Sequence, residues 1–252
     1  MLFHLITIFP GFFAGPLAHG VVARAVESGR LRIRTWDLRD FTGDRHRTVD
    51  DRPFGGGEGM LLKVEPIFRA VERIRAESEG RPRVALLSAQ GRLFDQAAAQ
   101  RLSACEELVL ICGRYEGVDE RVAQYLADEE LSIGNFVLSG GELAAAVVLD
   151  AVARLAPGVL GNQASAEQES FSVCSEASTG EPAVGILDGP QYTRPADFHG
   201  WEAPEILLGG HHDQIRRWRR RAALEKTLRN RPDLLERISL SAQDRKILEQ
   251  LK

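Results

Sequence analysis

The chain is 252 residues long, with 44% hydrophobic and 27% charged residues, which suits one large globular domain or a main domain with a smaller second one. That composition excludes disorder, collagen and coiled coil, and surface scaling lets about 70% of the unfolded area be buried without disulfides or a metal. The net charge of −4, taken as an average, speaks against a partner that is nucleic acid or anionic membrane.

Residues 3–9 (FHLITIF) and 31–36 (LRIRTW) are rich in β-branched and aromatic side chains and read as strands. Between them Leu17, Val21, Val22, Ala25 and Val26 fall at helical spacing, with Gly29 placed to stop the helix. Residues 2–13 are apolar, yet no Lys or Arg precedes them and Pro10-Gly11 interrupts them, so no signal peptide is expected. From 39 to 59 all periodicity is lost, and the stretch ends in Gly55-Gly56-Gly57-Glu58-Gly59. A loop of that length in a compact domain is usually functional or disordered.

Apolar runs and helical patterns then alternate: VALLS at 84–88, a helix from about Asp95, LVLIC at 108–112, and a helix from about Asp119. An extended piece follows at 131–141 (LSIGNFVLSGG), and then a strong helix, ELAAAVVLDAVARLA, that ends before Pro157-Gly158. Short strands alternating with helices predict a parallel sheet with helices on its faces. The apolar run at 143–149 stops at Asp150, well short of the ~20 residues of a membrane span. Cys105, Cys112 and Cys174 are odd in number and lack CxxC spacing, so neither a disulfide framework nor a zinc site is expected, and a reducing cytoplasm fits. His46, His211 and His212 lack ligand spacing with Cys or acids, and no metal site is predicted.

Residues 157 to about 200 are rich in Gly, Ser, Pro and acids and read as linker and loop. Beyond them 212–230 reads as a helix with Ile215, Trp218 and Ala222 on one stripe, broken at Pro232, and Ser241 with Asp244 resembles a capping box opening a last short helix. The charge average hides an asymmetry here. Residues 211–237 hold nine Arg/Lys and four acids, a net of +5, so the rest of the chain carries −9. A basic helical module sits on an acidic body, which restores a nucleic-acid partner as a candidate.

In an open parallel sheet, ligands bind beyond the carboxyl ends of the strands. Three glycine-rich loops fall there: Ser88-Ala89-Gln90-Gly91 after Leu87, Gly113-Arg114-Tyr115-Glu116-Gly117, and Ile133 to Gly141. Glycine lets main-chain groups approach a ligand closely, so the three together point to a nucleotide-like pocket. GxxxxGK[ST] is absent, and Gly55 to Gly59 neither follow an apolar strand nor supply the third glycine of GxGxxG. A ligand without phosphates, such as S-adenosylmethionine, is compatible.

HRTVDDRPFGGGEGM (46–60), GRYEGVDER (113–121), SIGNFVLSGGEL (132–143), PGVLG (157–161), ESF (169–171), YTRP (192–195) and IRRWR (215–219) occur in this order. Together they resemble the motif set of the bacterial tRNA (guanine-N1)-methyltransferases of the SPOUT superfamily. The resemblance implies an α/β fold: a SPOUT-type trefoil-knotted parallel sheet with helices on both faces, plus a small helical C-terminal domain. It divides the chain into an S-adenosylmethionine-binding knotted domain (1–160), a linker (161–200) and a tRNA-binding domain (201–252). It further implies a homodimer with the active site at the subunit interface, a tRNA partner, no membrane, and a cytoplasmic location. The expected product is 1-methylguanosine immediately 3′ of the anticodon. A catalytically impaired SPOUT-fold RNA-binding protein and a related rRNA methyltransferase are the alternatives.

Methylating guanine N1 calls for a carboxylate base, a cation near O6 and in-line positioning. By the resemblance Glu169 is the base, where the family usually has Asp, and Arg154 is the cation. Cofactor contacts are expected at Leu87, Ser88, Gly91, Gly113, Tyr115, Glu116, Ile133, Gly134, Asn135, Phe136, Val137, Leu138, Gly140 and Gly141. Glu116 is also the acid to attract the sulfonium or help hold Mg²⁺, the second group the family implies. Asn135, Phe136 and Glu58 stand where Asp, Tyr and Pro are usual. Asp50, Arg52, Gly57 and Gly59 belong to the loop expected over cofactor or guanine, and Arg217 and Arg220 are expected to contact tRNA phosphates. The stretch 172–186 is longer than its family counterpart.

Overall fold

A computed structural model describes residues 1–161, 169–174 and 183–251. The chain divides into two compact units, Met1–Gly161 and Asn162–Lys252. Of the long 172–186 stretch, 175–182 lie outside the described residues.

The first unit is built on a five-stranded sheet of β1 (Leu2–Thr7), β2 (Arg32–Asp37), β5 (Arg83–Leu93), β6 (Glu107–Cys112) and β7 (Glu129–Ser132), in the order β2-β1-β6-β5-β7. Every pairing in it is parallel. Side chains alternate across the pleat. Phe3, Leu5, Leu108 and Leu110 join a core with α1 (Gly20–Glu27), α3 (Gln96–Ser103) and α4 (Glu142–Ala153). Ile6, Val84, Leu86, Val109 and Ile111 join a second core with α2 (Val64–Glu77) on the opposite face. Helices therefore cover both faces, as the alternating pattern predicts.

Local signals set the helix ends. Gly29, at φ 72°, follows α1 in the left-handed conformation that closes helices. The Asp95 carboxylate caps α3 by accepting the Ala98 amide at 2.9 Å. Two expectations are met only in part. The helix expected from about Asp119 is short: residues 120–126 are helical, Val122–Leu126 of them π-wound, and the Asp119 carboxylate caps the start by accepting the Arg121 amide at 3.0 Å. The extended piece at 131–141 keeps strand geometry only to Ser132. There the Ser132 hydroxyl donates to the Gly134 carbonyl and Gly134 takes φ 157°.

β5 runs further than its apolar part. Leu87 pairs with Leu131, residues 88–91 leave the ladder, and Arg92 then pairs with Leu131 again. Gly91 lies inside this crossing, where a Cβ would sit 2.5 Å from the Leu131 amide nitrogen and 2.6 Å from the Glu130 carbonyl carbon. Backbone flanks it, so no side chain fits there.

The sheet buries one histidine, His4. Its Nδ1 accepts the Trp36 indole N–H at 3.1 Å, so the neutral tautomer puts the proton on Nε2, which faces the Glu107 carboxylate at 3.2 Å. Burial pushes the His4 pKa below its ordinary value, against the pull of Glu107.

In the second unit, α6 (Pro232–Glu236) and α7 (Ala242–Leu251) each pack on α5 (His212–Asn230). The Ser241 hydroxyl accepts the Asp244 amide at 3.1 Å and the Asp244 carboxylate accepts the Ser241 amide at 3.3 Å, which is the expected capping box. Ala223, Leu224 and Thr227 form the buried stripe of α5. Residues 170 and 187–189 run against it: the Leu187 amide donates to the Thr227 hydroxyl and the Asp188 amide to the Ser170 hydroxyl.

Candidate active site

Residues 88–90, expected as a loop but lying within β5 where it leaves its ladder, meet the glycine-rich loops at the carboxyl ends of β6 and β7, and together they line a cleft of about 380 Å³, within the range of small-molecule sites. Leu87, Ser88, Gly113, Tyr115, Glu116, Ile133, Gly134, Phe136, Val137, Leu138, Gly140 and Gly141 all line it. Of the expected contacts, Gly91 and Asn135 are outside the lining, Gly91 being in the strand crossing against Glu130 and Leu131. Close backbone approach demands glycine at the cleft floor. A Cβ on Gly141 would sit 2.8 Å from the Cys112 Cα, and the Gly141 amide donates to the Gly113 carbonyl at 2.8 Å.

The lining also includes Glu116, Glu120 and Glu130, with Arg114 as its one cationic side chain among the described residues. Arg114 is already neutralised. Its Nε and Nη2 both lie 2.8 Å from one oxygen of Glu142, while Glu142 is fully buried at the first turn of α4. The other Glu142 oxygen accepts the Thr7 hydroxyl at 2.7 Å, Arg114 Nη1 donates to the Ser139 carbonyl at 2.9 Å, and the guanidinium lies 4.7 Å from the Phe9 ring centre. The cleft therefore presents uncompensated negative charge and an apolar floor, which favours a cationic ligand over a phosphate. Cys112 beneath it is inert, since burial and then the Glu142 charge push its thiol pKa well up.

The glycine-rich loop is moored at the rim of this cleft. Asp50 lies in β3 (Asp50–Asp51), which pairs with β4 (Leu61–Leu62). The Glu116 amide donates to the Met60 carbonyl at 3.1 Å and the Leu62 amide to the Gly117 carbonyl at 3.0 Å. Between these stems Arg52 and Gly57 are exposed, and Gly57 and Gly59 take φ of 125° and 85°. Any side chain at Gly59 would also overlap Glu116.

Against this geometry stand the matches to known proteins. A family profile described as "tRNA (Guanine-1)-methyltransferase TrmD" matches residues 1–237. The chain belongs to this family. It is 58% identical over 260 residues to a tRNA (guanine-N(1)-)-methyltransferase of Koribacter versatilis, covering 100% of this chain and 98% of that protein. Like-named proteins of Geobacter metallireducens and Moorella thermoacetica are each 51% identical, over 100% and 98% of this chain and 98% and 95% of theirs.

Of the other residues singled out by the family motifs, one belongs to the first unit and three to the second. Arg154 caps the carboxyl end of α4, half-buried, with its amide donating to the Asp150 carbonyl at 3.1 Å. Glu169 lies in the second unit, where its main-chain carbonyl accepts the Ser172 amide at 3.2 Å. Arg217 is exposed on α5. Arg220 makes a two-pronged bond to Asp244, both contacts 2.9 Å, which holds the Asp244 carboxyl below its ordinary pKa and ties α5 to the capping box of α7. Among the described residues no group of three or more His, Cys, Asp or Glu side chains could hold a metal ion, and no helix is long and apolar enough to cross a membrane.

Sequence reasoning missed Thr7 and Glu142, and took Arg114 only as part of a loop. They meet across sequence separations of 28 and 135 residues, which no local pattern encodes. The one legible sign was an acid opening an otherwise apolar helix, ELAAAVVL.

Proposed function

We propose that this chain transfers a methyl group from S-adenosylmethionine to N1 of the guanosine immediately 3′ of the tRNA anticodon, giving 1-methylguanosine. The observation that carries this reading is the family match over residues 1–237 falling on a chain whose glycine loops converge in one acid-rimmed cleft. When bound, S-adenosylmethionine supplies an electrophilic methyl on a sulfonium. The main chain at Leu87, Gly113 and 133–141 holds it, and the Glu116, Glu120 and Glu130 carboxylates favour its positive charge. Mg²⁺ usually keeps several waters and takes one or two carboxylates, and Glu116 is the acid this chain offers it.

Glu169 would take the guanine N1 proton, leaving the N1 lone pair free as the nucleophile for the methyl that S-adenosylmethionine would supply. Arg154 stabilises the negative charge that builds at O6. Asp50, Arg52, Gly57 and Gly59 form the covering loop, and Arg217 with its neighbours on α5 contacts phosphates. Residues 1–160 form the knotted cofactor domain, 161–200 the linker and 201–252 the tRNA-binding domain. The passage of 88–93 over Leu131, too tight for a Cβ at Gly91, supports the trefoil knot. Leu143 and Val147 leave α4 with an apolar face, each about half exposed, which supports a homodimer that completes the active site at its interface. A tRNA-modifying activity of this kind belongs to the bacterial cytoplasm.

The test is Glu169→Gln. Methyl transfer is lost while S-adenosylmethionine binding survives; near-normal turnover would remove Glu169 from the mechanism.

A further inference from the structure

The second unit carries an aromatic cluster that none of these roles uses. β8 (Asp197–Phe198) and β9 (Trp201–Glu202) form an antiparallel hairpin closed by His199-Gly200. Both turn residues have positive φ, 55° and 79°, as a type I′ turn requires. The Asp197 carboxylate accepts the Gly200 amide at 2.8 Å, and the Ala203 amide donates to the Ala196 carbonyl at 2.7 Å. The tip is thus closed and preorganised.

On it Phe198 and Trp201 lie cross-strand with ring centres 5.9 Å apart, and the His199 ring meets Phe198 edge-on at 4.5 Å. Rings of this size normally bury most of their area in a core or an interface. Here Trp201 is 75% and Phe198 52% exposed, so the cluster faces a partner rather than this chain.

Two features identify that partner. The tip offers flat rings and no aliphatic side chain, which suits a flat face more than a protein core. Immediately after the hairpin, the turn Glu205–Leu207 packs on α5, the helix that carries most of the +5 segment. A flat-faced polyanion beside a cationic helix is a nucleic acid. We propose that the Phe198–Trp201 hairpin is a stacking platform for an unpaired base of the tRNA substrate. This rests on the tRNA methyltransferase reading above.

The experiment uses the full chain, an unmodified tRNA transcript and a titration of salt. Trp201→Ala weakens tRNA binding roughly 5- to 150-fold, the effect of losing one base–aromatic stack. Trp201→Phe restores most of it. The salt slope stays at the wild-type value, since stacking releases no counterion, and S-adenosylmethionine binding and sedimentation are unchanged. Wild-type tRNA affinity in Trp201→Ala would overturn the platform and leave the methyltransferase reading standing. A changed oligomeric state in that variant would also overturn it, assigning the hairpin to an interface between copies of the chain. Failure of the wild-type protein to bind the transcript would remove both readings.

Discussion

Replacing Glu142 by Gln keeps the side-chain shape and an oxygen for the Thr7 hydroxyl, but removes the charge that faces Arg114. Two guanidinium nitrogens stand 2.8 Å from the same carboxylate oxygen, with Glu142 fully buried and Arg114 only 20% exposed. Breaking a buried pair from one side costs about 3–5 kcal/mol, because the remaining charge loses its counterpart without regaining water. Arg114 would keep the Ser139 carbonyl and the Phe9 ring face, which puts the loss near the lower end, about 3 kcal/mol. For a unit of this size that lowers the melting temperature by roughly 6–12 °C. Calorimetry on the full chain reads the shift, and titration calorimetry reads the accompanying loss of S-adenosylmethionine affinity, since Arg114 joins the 113–117 loop to Ser139. Arg114→Met combined with Glu142→Gln loses less than the sum of the two single variants. A Glu142→Gln protein that melts and binds cofactor indistinguishably from wild type would refute the argument that this pair holds the cleft floor.

Gly91→Ala drives a methyl into the backbone of Glu130 and Leu131; a loss of about 1–3 kcal/mol or more in denaturant unfolding is expected, whereas Gly11→Ala, with nothing within 4 Å of the added atom, serves as the neutral control. Arg217→Ala lowers the salt slope of tRNA binding by about 1 and leaves the melting curve alone. Arg220→Ala instead destabilises the second unit by releasing Asp244, visible as earlier melting that Arg217→Ala does not produce.

Much of the fold is legible because local signals agree with the global pattern. LVLIC and FHLITIF are short apolar runs bounded by turn residues, and they become the central parallel strands β6 and β1. Asp95 and the Ser241–Asp244 pair cap helices as their spacing predicts. The basic stretch becomes the 19-residue helix α5. Helix α2 carries the same kind of signal: Ile67, Ala70, Val71 and Ile74 recur at helical spacing and are all buried.

What local pattern cannot carry is the meeting of distant segments. The second half of β5, QGRL, is polar, and it stays extended only because it returns to pair with β7. Asp119 opens a helix as its residue type suggests, but no local pattern shows that the helix is π-wound and ends at Leu126. The glycine loops of the cleft were found from their place at strand ends, whereas the Thr7–Glu142–Arg114 network beneath them depends on the tertiary fold alone. Arg220 shows the same limit. Charge put it beside Arg217, and only the fold reveals that Asp244 engages it.

One measurement tests the methyl transfer most directly. The protein is incubated with labelled S-adenosylmethionine and two tRNA transcripts that differ only in having guanosine or adenosine immediately 3′ of the anticodon. Label enters the guanosine transcript alone and is recovered as 1-methylguanosine; label in both transcripts, or in neither, would contradict the assignment.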